Sequence, residues 1–321
     1  MQWMDGHADV LLKMWKMPKQ HSFYGPPSGL DVTYGRLREA HVALQAFAVF
    51  VPPTVPAAGR LAAALKQIDL FHEKIVAEGN KVFPVMSAEH VKQCTPDRIG
   101  ALLCLEGADA LQGDLSFLRL FHRLGVRQVG ITWNHANEAA DGIEEARGGG
   151  LTNFGRNLVR ELKNLGMVAD VSHLSVRGFW EVIDEPDLAV VASHSNCKKI
   201  CPHIRNLDDE QIRALIAKDG LIGITFYPPF VKSESEVFLD DVLRHVEHVL
   251  ELDGENHLCF GSDFDGIEQK VIGLEHAGRI VALREELLKR YPERLVKKWA
   301  WDNAERFYVK NLSKDGSDKN R

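Results

Sequence analysis

The chain has 321 residues, 45% of them hydrophobic and 26% charged, with 39 Lys and Arg against 45 Asp and Glu for a formal net charge of -6. That composition belongs to a globular protein with a substantial core, and it excludes disordered and fibrous classes. No basic block or aromatic-basic interleaving speaks for nucleic acid, and no apolar run reaches the ~20 residues of a membrane span.

Short apolar, β-branched runs alternate with stretches whose apolar residues recur at i, i+3 and i+4. The first predicted strand, Trp3–His7, leads into a Pro-rich loop over Lys13–Gly35 that contains Pro18, Pro26 and Pro27. Strand Ala43–Phe50 follows, then a second Pro-rich loop, Pro52–Pro56, and a helix over Ala57–Glu78. Strand Ala101–Leu105 precedes helix Leu115–Leu124, and strand Gln128–Thr132 precedes helix Thr152–Leu165. Strand Met167–Val171, helix Val176–Ile183, strand Leu188–Ser193 and helix Asp208–Lys218 continue the alternation. Strand Leu221–Phe226, helix Val237–Leu250, strand His257–Gly261 and closing helices Ala277–Lys289 and Leu295–Val309 complete it. Ser313–Arg321 reads as a polar tail, so the expected division is one catalytic domain over residues 1–310 and a tail over 311–321.

Eight nearly continuous apolar strands separated by helices predict a parallel sheet covered on both faces, closed as a (β/α)8 TIM barrel. An open doubly wound sheet would carry a Gly-rich phosphate turn after its first strand, and Asp5-Gly6-His7-Ala8-Asp9 is not one. The five cysteines (Cys94, Cys104, Cys197, Cys201 and Cys259) are odd in number and scattered, which suits reduced thiols. Cys197-x3-Cys201 lacks the second pair that a zinc knuckle needs. With no export signal visible at the N-terminus, the expectation is a cytoplasmic protein acting on a small molecule.

In such a barrel the active site is built from the C-terminal ends of the strands. Those ends supply His7 and Asp9, Glu106, Trp133 with Asn134, His173, His194, Tyr227 and Asp263. In an extended strand residues i and i+2 point the same way, so His7 and Asp9 can converge on one cation. Glu106 directly follows a buried run, where a carboxylate is costly unless it is paired or binds metal. His7, Asp9 and Glu106 therefore form one candidate site, and Glu106, His173 and His194 a second, with Glu106 as the bridge. Two cations roughly 3.5–4 Å apart can share a hydroxide nucleophile. Mixed imidazole and carboxylate ligation favours zinc, with manganese and cobalt as alternatives. Asp263 is a further ligand or a general base, Asp265 a turn residue, and Asp170 a residue that orients a neighbour.

The segments Asp5-Gly6-His7-Ala8-Asp9, Leu105-Glu106-Gly107, Gly150-Leu151-Thr152-Asn153-Phe154-Gly155 through Asp170-Val171-Ser172-His173, Ser193-His194-Ser195, Arg205-Asn206-Leu207-Asp208-Asp209 and Gly261-Ser262-Asp263-Phe264-Asp265-Gly266 together resemble the membrane (renal) dipeptidase family, in its soluble bacterial form. They run in family order from residue 5 to about residue 308. The resemblance implies an amidohydrolase-like metallo-barrel with two zinc ions that hydrolyses the peptide bond of a dipeptide. It implies His7 and Asp9 on the first ion, Glu106 as the bridge, and His173 and His194 on the second. It gives Asp263 the transfer of the proton from the attacking water to the leaving amine, and Arg205 the grip on the substrate carboxylate. Tyr227 resembles a family site tyrosine, and members of the family are commonly homodimers.

Where animal members place a substrate-contacting histidine, this chain has Trp133, with Asn134 and His135 as the candidate stand-ins. The absence of a lipid-anchor tail argues against a cell-surface role. The nearest alternatives are another binuclear metallohydrolase, acting on cyclic amides, lactones, phosphoesters or N-acyl amino acids, and a noncatalytic metal-binding relative. Such barrels usually open with His-x-His, and in this chain the second position is Asp9.

Overall fold

A computed structural model describes residues 1–313 apart from 27–28, 77–78, 80 and 234–235. Pro27 of the first loop, the end of the helix expected over Ala57–Glu78, and residues 314–321 of the expected tail lie outside the described residues.

The strands are β1 (Trp3–Asp5), β2 (Val42–Phe50), β3 (Val82–Pro84), β4 (Ile99–Glu106), β5 (Val126–Gly130), β6 (Val168–Asp170), β7 (Val190–Ala192), β8 (Leu221–Ile224) and β9 (Leu258–Phe260). Eight of them run in the order β1-β2-β4-β5-β6-β7-β8-β9, each parallel to its neighbour, while β3 pairs with the start of β4 and lies off that path. The result is a nearly closed eight-stranded α/β barrel of the TIM type. Closure comes just past the ends of β9 and β1, where Gly6 N donates to the Phe260 carbonyl (2.8 Å), Asp263 N to the His7 carbonyl (3.0 Å) and Asp9 N to the Phe264 carbonyl (2.9 Å).

Alternation along the strands divides the core in two. Trp3, Phe47, Val49, Leu103, Leu105, Val129, Ile224 and Phe260 belong to the larger cluster, shared with the surrounding helices. Met4, Leu44, Ala46, Leu102, Cys104, Val168, Val191 and Cys259 form the smaller one, which the C-terminal residues Trp301, Phe307 and Tyr308 complete. The Tyr308 hydroxyl donates to Gln128 Oε1 of β5 at 2.7 Å, so this polar group is satisfied inside the barrel.

Most observed strands stop one or two residues short of the expected runs. His7, Thr132, Val171, Ser193 and Phe226 all lie just past a strand end, where the backbone turns away to serve the mouth. The expected loop over Lys13–Gly35 is partly helical: a helix spans Val10–Lys16, and Thr33 caps another at Tyr34–Glu39 by accepting from Arg36 N. The helix expected from Ala57 is α-helical to Leu70 and continues as a wider π-type turn over Phe71–Val76. The last helix is likewise interrupted by a π-type turn, Lys298–Asp302, before Asn303–Asn311.

Gly261 sits where this packing is tightest, because a Cβ there would overlap the Ser193 carbonyl oxygen, a backbone atom that cannot swing aside. Gly261→Ala is therefore expected to lower unfolding stability by about 3 kcal/mol, read as a lower urea midpoint at unchanged slope. An unchanged midpoint would show that the strand end can relax.

Candidate active site

The strand ends bring most of the predicted site residues to one mouth. His7 and Asp9 arrive on the turn after β1, with His7 Nε2 3.5 Å from Asp9 Oδ2 and 3.5 Å from Glu106 Oε2. The other Glu106 oxygen, Oε1, faces the opposite way: it lies 3.0 Å from His173 Nε2 and 3.9 Å from His194 Nε2. The two imidazole Nε2 atoms are themselves 2.8 Å apart. Glu106 thus stands between two trios, His7–Asp9–Glu106 and Glu106–His173–His194, whose donor atoms lie within 4.8 Å of one another.

A third trio of similar spacing, His7–Asp170–His194, is chemically different. Asp170 Oδ1 already accepts from Ser172 N (3.1 Å), Ser172 Oγ (2.8 Å) and Ser193 N (3.1 Å), and its Oδ2 from Ser193 Oγ and Gln128 Nε2. A carboxylate so occupied has few lone pairs left for a cation. Its place is behind His194, whose Nδ1 lies 2.8 Å from Ser193 Oγ. Asp5 plays a matching part on the other side of the barrel. It accepts from Ser262 N (2.8 Å) and Ser262 Oγ (2.7 Å), with Gln45 Nε2 at 3.1 Å, and so fixes the segment that carries Asp263.

The electrostatics of the cluster suit a cation. Burial opposes a charge on His7, but Glu106 and Asp9 outweigh it and hold the imidazole pKa well above 6.5. Burial and the Glu106 charge raise Asp9 to about 6. Burial would also raise Glu106, but His7 and His173 prevail and keep it ionised. Burial, with the nearby Arg205 charge, lowers His173 to about 4, and burial with the His7 charge holds His194 well below the usual imidazole range. Both later histidines are therefore neutral at pH 7, the state in which imidazole binds metal. Among the described residues, nothing hydrogen-bonds the buried atoms His7 Nδ1 and Asp9 Oδ1. Buried nitrogens and carboxylate oxygens converging with incomplete hydrogen bonding are what divalent cations with imidazole and carboxylate ligands require.

Asp263 holds a left-handed backbone conformation (φ 65°), as does Asp265 (φ 68°), which few non-glycine residues adopt away from functional turns. Burial raises the Asp263 carboxyl to about 8, with Asp9 and Glu106 adding to the rise and His7 and Arg205 opposing it. Gly266 packs against both Asp9 and Asp263, and a Cβ there would overlap their carboxylate oxygens. Asp265 belongs to a different structure: it accepts from Asp31 N (2.8 Å) and Val32 N (3.0 Å) and pairs with Lys13 (3.0 Å). That clamp draws the loop before Tyr34 onto the rim.

Asp9, Glu106, His173 and Asp263 border a cavity of about 480 Å³ whose walls include Phe50, Trp133, Tyr227, Phe230 and Ile267. Trp133 lies against Phe50, ring centroids 5.3 Å apart, and beside His173 at 6.1 Å. Tyr227 is half-buried on the opposite rim, edge-on to Phe230. Arg205 is only 3% exposed. Its guanidinium lies 5.2 Å from the Phe230 ring, and none of its three nitrogens has a hydrogen-bond partner among the described residues. Burial lowers its pKa to about 10, so it stays charged at pH 7. Asn134 borders the cavity, with Oδ1 2.6 Å from His173 Nδ1 and Nδ2 3.0 Å from Glu144 Oε1. His135 does not border it: the ring is exposed, 3.9 Å from Glu144.

Comparison with known proteins agrees with this geometry. The family pattern described as membrane dipeptidase (peptidase family M19) matches residues 1–317. The chain belongs to the membrane dipeptidase family. It is thereby a metallo-dipeptidase, a hydrolase of peptide bonds with a metal cofactor. The dipeptidase aclJ of Aspergillus oryzae is 33% identical over 304 residues, covering 89% of this chain and 72% of the relative. The solved structure of dipeptidase AC, a metallo peptidase of family M19, superposes with a TM-score of 0.91 at 28% identity, covering 98% of this chain and 99% of that one. A metallo peptidase from Rhodobacter sphaeroides, solved with a phosphinate mimic of the dipeptide L-Ala-D-Ala, gives a TM-score of 0.91 at 27% identity, covering 97% and 99%. Among the described residues of the dipeptidase, no helix is long and apolar enough to cross a membrane.

Because a cation and the His7 proton compete for the same electrons, metal uptake by the dipeptidase is linked to pH with a definite sign. Affinity rises with pH, and the dependence steepens below pH about 6, where Asp9 also carries a proton. Calorimetric zinc titrations of the metal-stripped protein, run in buffers of different ionisation heat, are expected to show release of at least roughly one proton at pH 7. Uptake without proton release would contradict a protonated His7 in the metal-free enzyme.

Proposed function

We propose that this dipeptidase works with two zinc ions, of which His7, Asp9 and Glu106 would hold the first, and Glu106, His173 and His194 the second. The observation that carries the reading is the division of the Glu106 oxygens between two trios. When bound, such a pair lowers the pKa of a water to near neutrality and polarises the peptide carbonyl. We further read residues 1–310 as one catalytic unit. The enzyme is taken to be cytoplasmic, a reading supported by five cysteines that are all free and buried.

The remaining steps belong to the chain's own side chains. Arg205 takes the substrate's terminal carboxylate. Its charge is already desolvated and its donors are unengaged, so a two-pronged carboxylate bond replaces no existing partner. Phe230 and Tyr227 shield that bond from water. Asp263 Oδ accepts the proton of the attacking water and delivers it to the departing amine. Burial keeps this carboxyl protonated in the metal-free protein, and with cations held by the neighbouring trios it would ionise and so be able to make both transfers. The ligand of the Rhodobacter sphaeroides neighbour, a mimic of L-Ala-D-Ala, supports small dipeptides as the substrate class, including those with a D second residue.

A dipeptide panel with free and amidated C-termini, assayed on zinc-loaded protein, tests the reading as a whole. Free dipeptides should be cleaved and their amides disfavoured, and Arg205→Met should erase that preference through a KM about 10–100-fold higher. Asp263→Asn should lower kcat by about 10²–10⁴ while two zinc ions remain bound. No hydrolysis across the panel would sink the assignment, and near-normal turnover of Asp263→Asn would remove Asp263 from its role.

A further inference from the structure

Asn134 is the candidate stand-in for a substrate-contacting histidine, yet its hydrogen bonds engage it elsewhere. The side-chain amide has one accepting and one donating end, and only donors satisfy a carboxylate. Nδ2 lies 3.0 Å from Glu144 Oε1, so the amide nitrogen faces Glu144 and the carbonyl oxygen faces His173 Nδ1 at 2.6 Å. A backbone bond from Glu144 N to the Asn134 carbonyl, 2.8 Å, holds the two residues in register. One of the two amide hydrogens is then committed to Glu144.

A carbonyl oxygen can only accept, so the hydrogen on the Asn134–His173 contact belongs to His173 Nδ1. That leaves the His173 Nε2 lone pair exposed, 3.0 Å from Glu106 Oε1 and 2.8 Å from His194 Nε2. The same logic applies to His194. Ser193 has one hydroxyl hydrogen, which goes to Asp170, so Ser193 Oγ accepts from His194 Nδ1 and frees the second Nε2. Two lone pairs facing each other beside a carboxylate oxygen repel unless a cation lies among them. Both imidazoles are set, by different partners, for the same occupant.

We infer that Asn134, held in orientation by Glu144, is a positioning residue for the second cation: it locks His173 in the Nδ1–H tautomer and aims Nε2 at the metal. The assignment rests on the proposed role of His173 as a ligand. Trp133 and Asn134 then divide two tasks between neighbouring positions, Trp133 walling the cavity and Asn134 serving the metal.

Zinc affinity, measured by chelator competition on the metal-stripped full chain, tests the inference apart from catalysis. Asn134→Leu removes the acceptor at similar volume and should weaken the second zinc by about 10–100-fold while leaving the first within a few-fold. The double variant Asn134→Asp with Glu144→Gln keeps an acceptor toward Nδ1, a donor between the two side chains and the net charge, and should bind both ions within a few-fold of the parent. Turnover of Asn134→Leu should recover as zinc is raised to saturation. Tight binding of both ions by Asn134→Leu would overturn the assignment, as would an activity loss that saturating zinc does not restore, since that marks a substrate contact. Should Asn134→Leu fail to fold, the ring ¹⁵N spectrum of the unmutated zinc-loaded protein reads the tautomer directly, and a His173 protonated at Nε2 refutes it. If the predicted zinc pattern appears in a protein that cleaves no dipeptide, the assignment is supported while the proposed function fails.

Discussion

Three carboxylates, Asp9, Glu106 and Asp263, are crowded into a mouth that burial has largely stripped of water. Like charges at that separation cannot all ionise without positive charge among them, and the rest of the site is arranged around this need. The chain supplies part of the compensation itself. His7 carries a proton between Asp9 and Glu106, Asp263 holds its own proton, and the Arg205 guanidinium lies close enough to influence Asp263 and Glu106. A protonated imidazole is a weak substitute for a divalent ion, because the buried atoms Asp9 Oδ1 and His7 Nδ1 have no hydrogen bond among the described residues. The cluster is therefore better matched to cations than to protons.

The barrel closes on the same stretch of chain. The seam is sealed by backbone hydrogen bonds made by Gly6, His7, Asp9 and Asp263, the residues that carry the site or adjoin it. Asp5 and Asp170 reinforce this rim in parallel fashion. Each is a strand-end carboxylate that gathers the N–H and hydroxyl of a serine on another segment, Ser262 and Ser193 respectively. A carboxylate accepting several such donors is held rigidly, and it fixes the neighbouring Asp263 loop or His194 ring in turn. Stability and catalysis share these contacts, so substitutions at Asp5 or Asp170 would disturb both at once.

Much of this was legible in the sequence, for reasons that differ between fold and site. Runs such as Leu188-Ala189-Val190-Val191-Ala192 are apolar because both sheet faces are covered, so parallel strands announce themselves. Three-residue β3 has no such run, and the helix over Val10–Lys16 adjoins a Pro-rich stretch that masks its short periodicity. The π-type turns at Phe71–Val76 and Lys298–Asp302 shift the helical register by a residue, which a 3.6-residue pattern does not reveal. At the site, His7, Asp9, Glu106, His173 and His194 were legible through position: each is a polar side chain where an apolar strand ends. Arg205 has no such mark, since its burial depends on Phe230 from a distant segment. Ser193 and Ser262 were silent for the opposite reason, because a serine at a strand end is unremarkable until its partner aspartate is seen. Asn134 and His135 were indistinguishable in sequence, and only the loop geometry sends one inward and the other to solvent.

The buried, unengaged Arg205 also bears on why such a site would favour short substrates. A guanidinium on the surface gains little from a carboxylate, because water must be stripped from both partners. In this barrel folding has already desolvated the arginine and left its donors without partners among the described residues, so only the ligand's carboxylate is still to be dehydrated. On the proposed reading, the terminal carboxylate of a dipeptide satisfies that arginine while its single peptide bond reaches the Glu106 cluster, with Phe230 and Trp133 closing the walls between. A longer peptide would place an amide, not a charge, opposite Arg205 and leave a buried cation unpaired. That penalty, rather than a steric stop alone, makes length discrimination a property of the charge distribution.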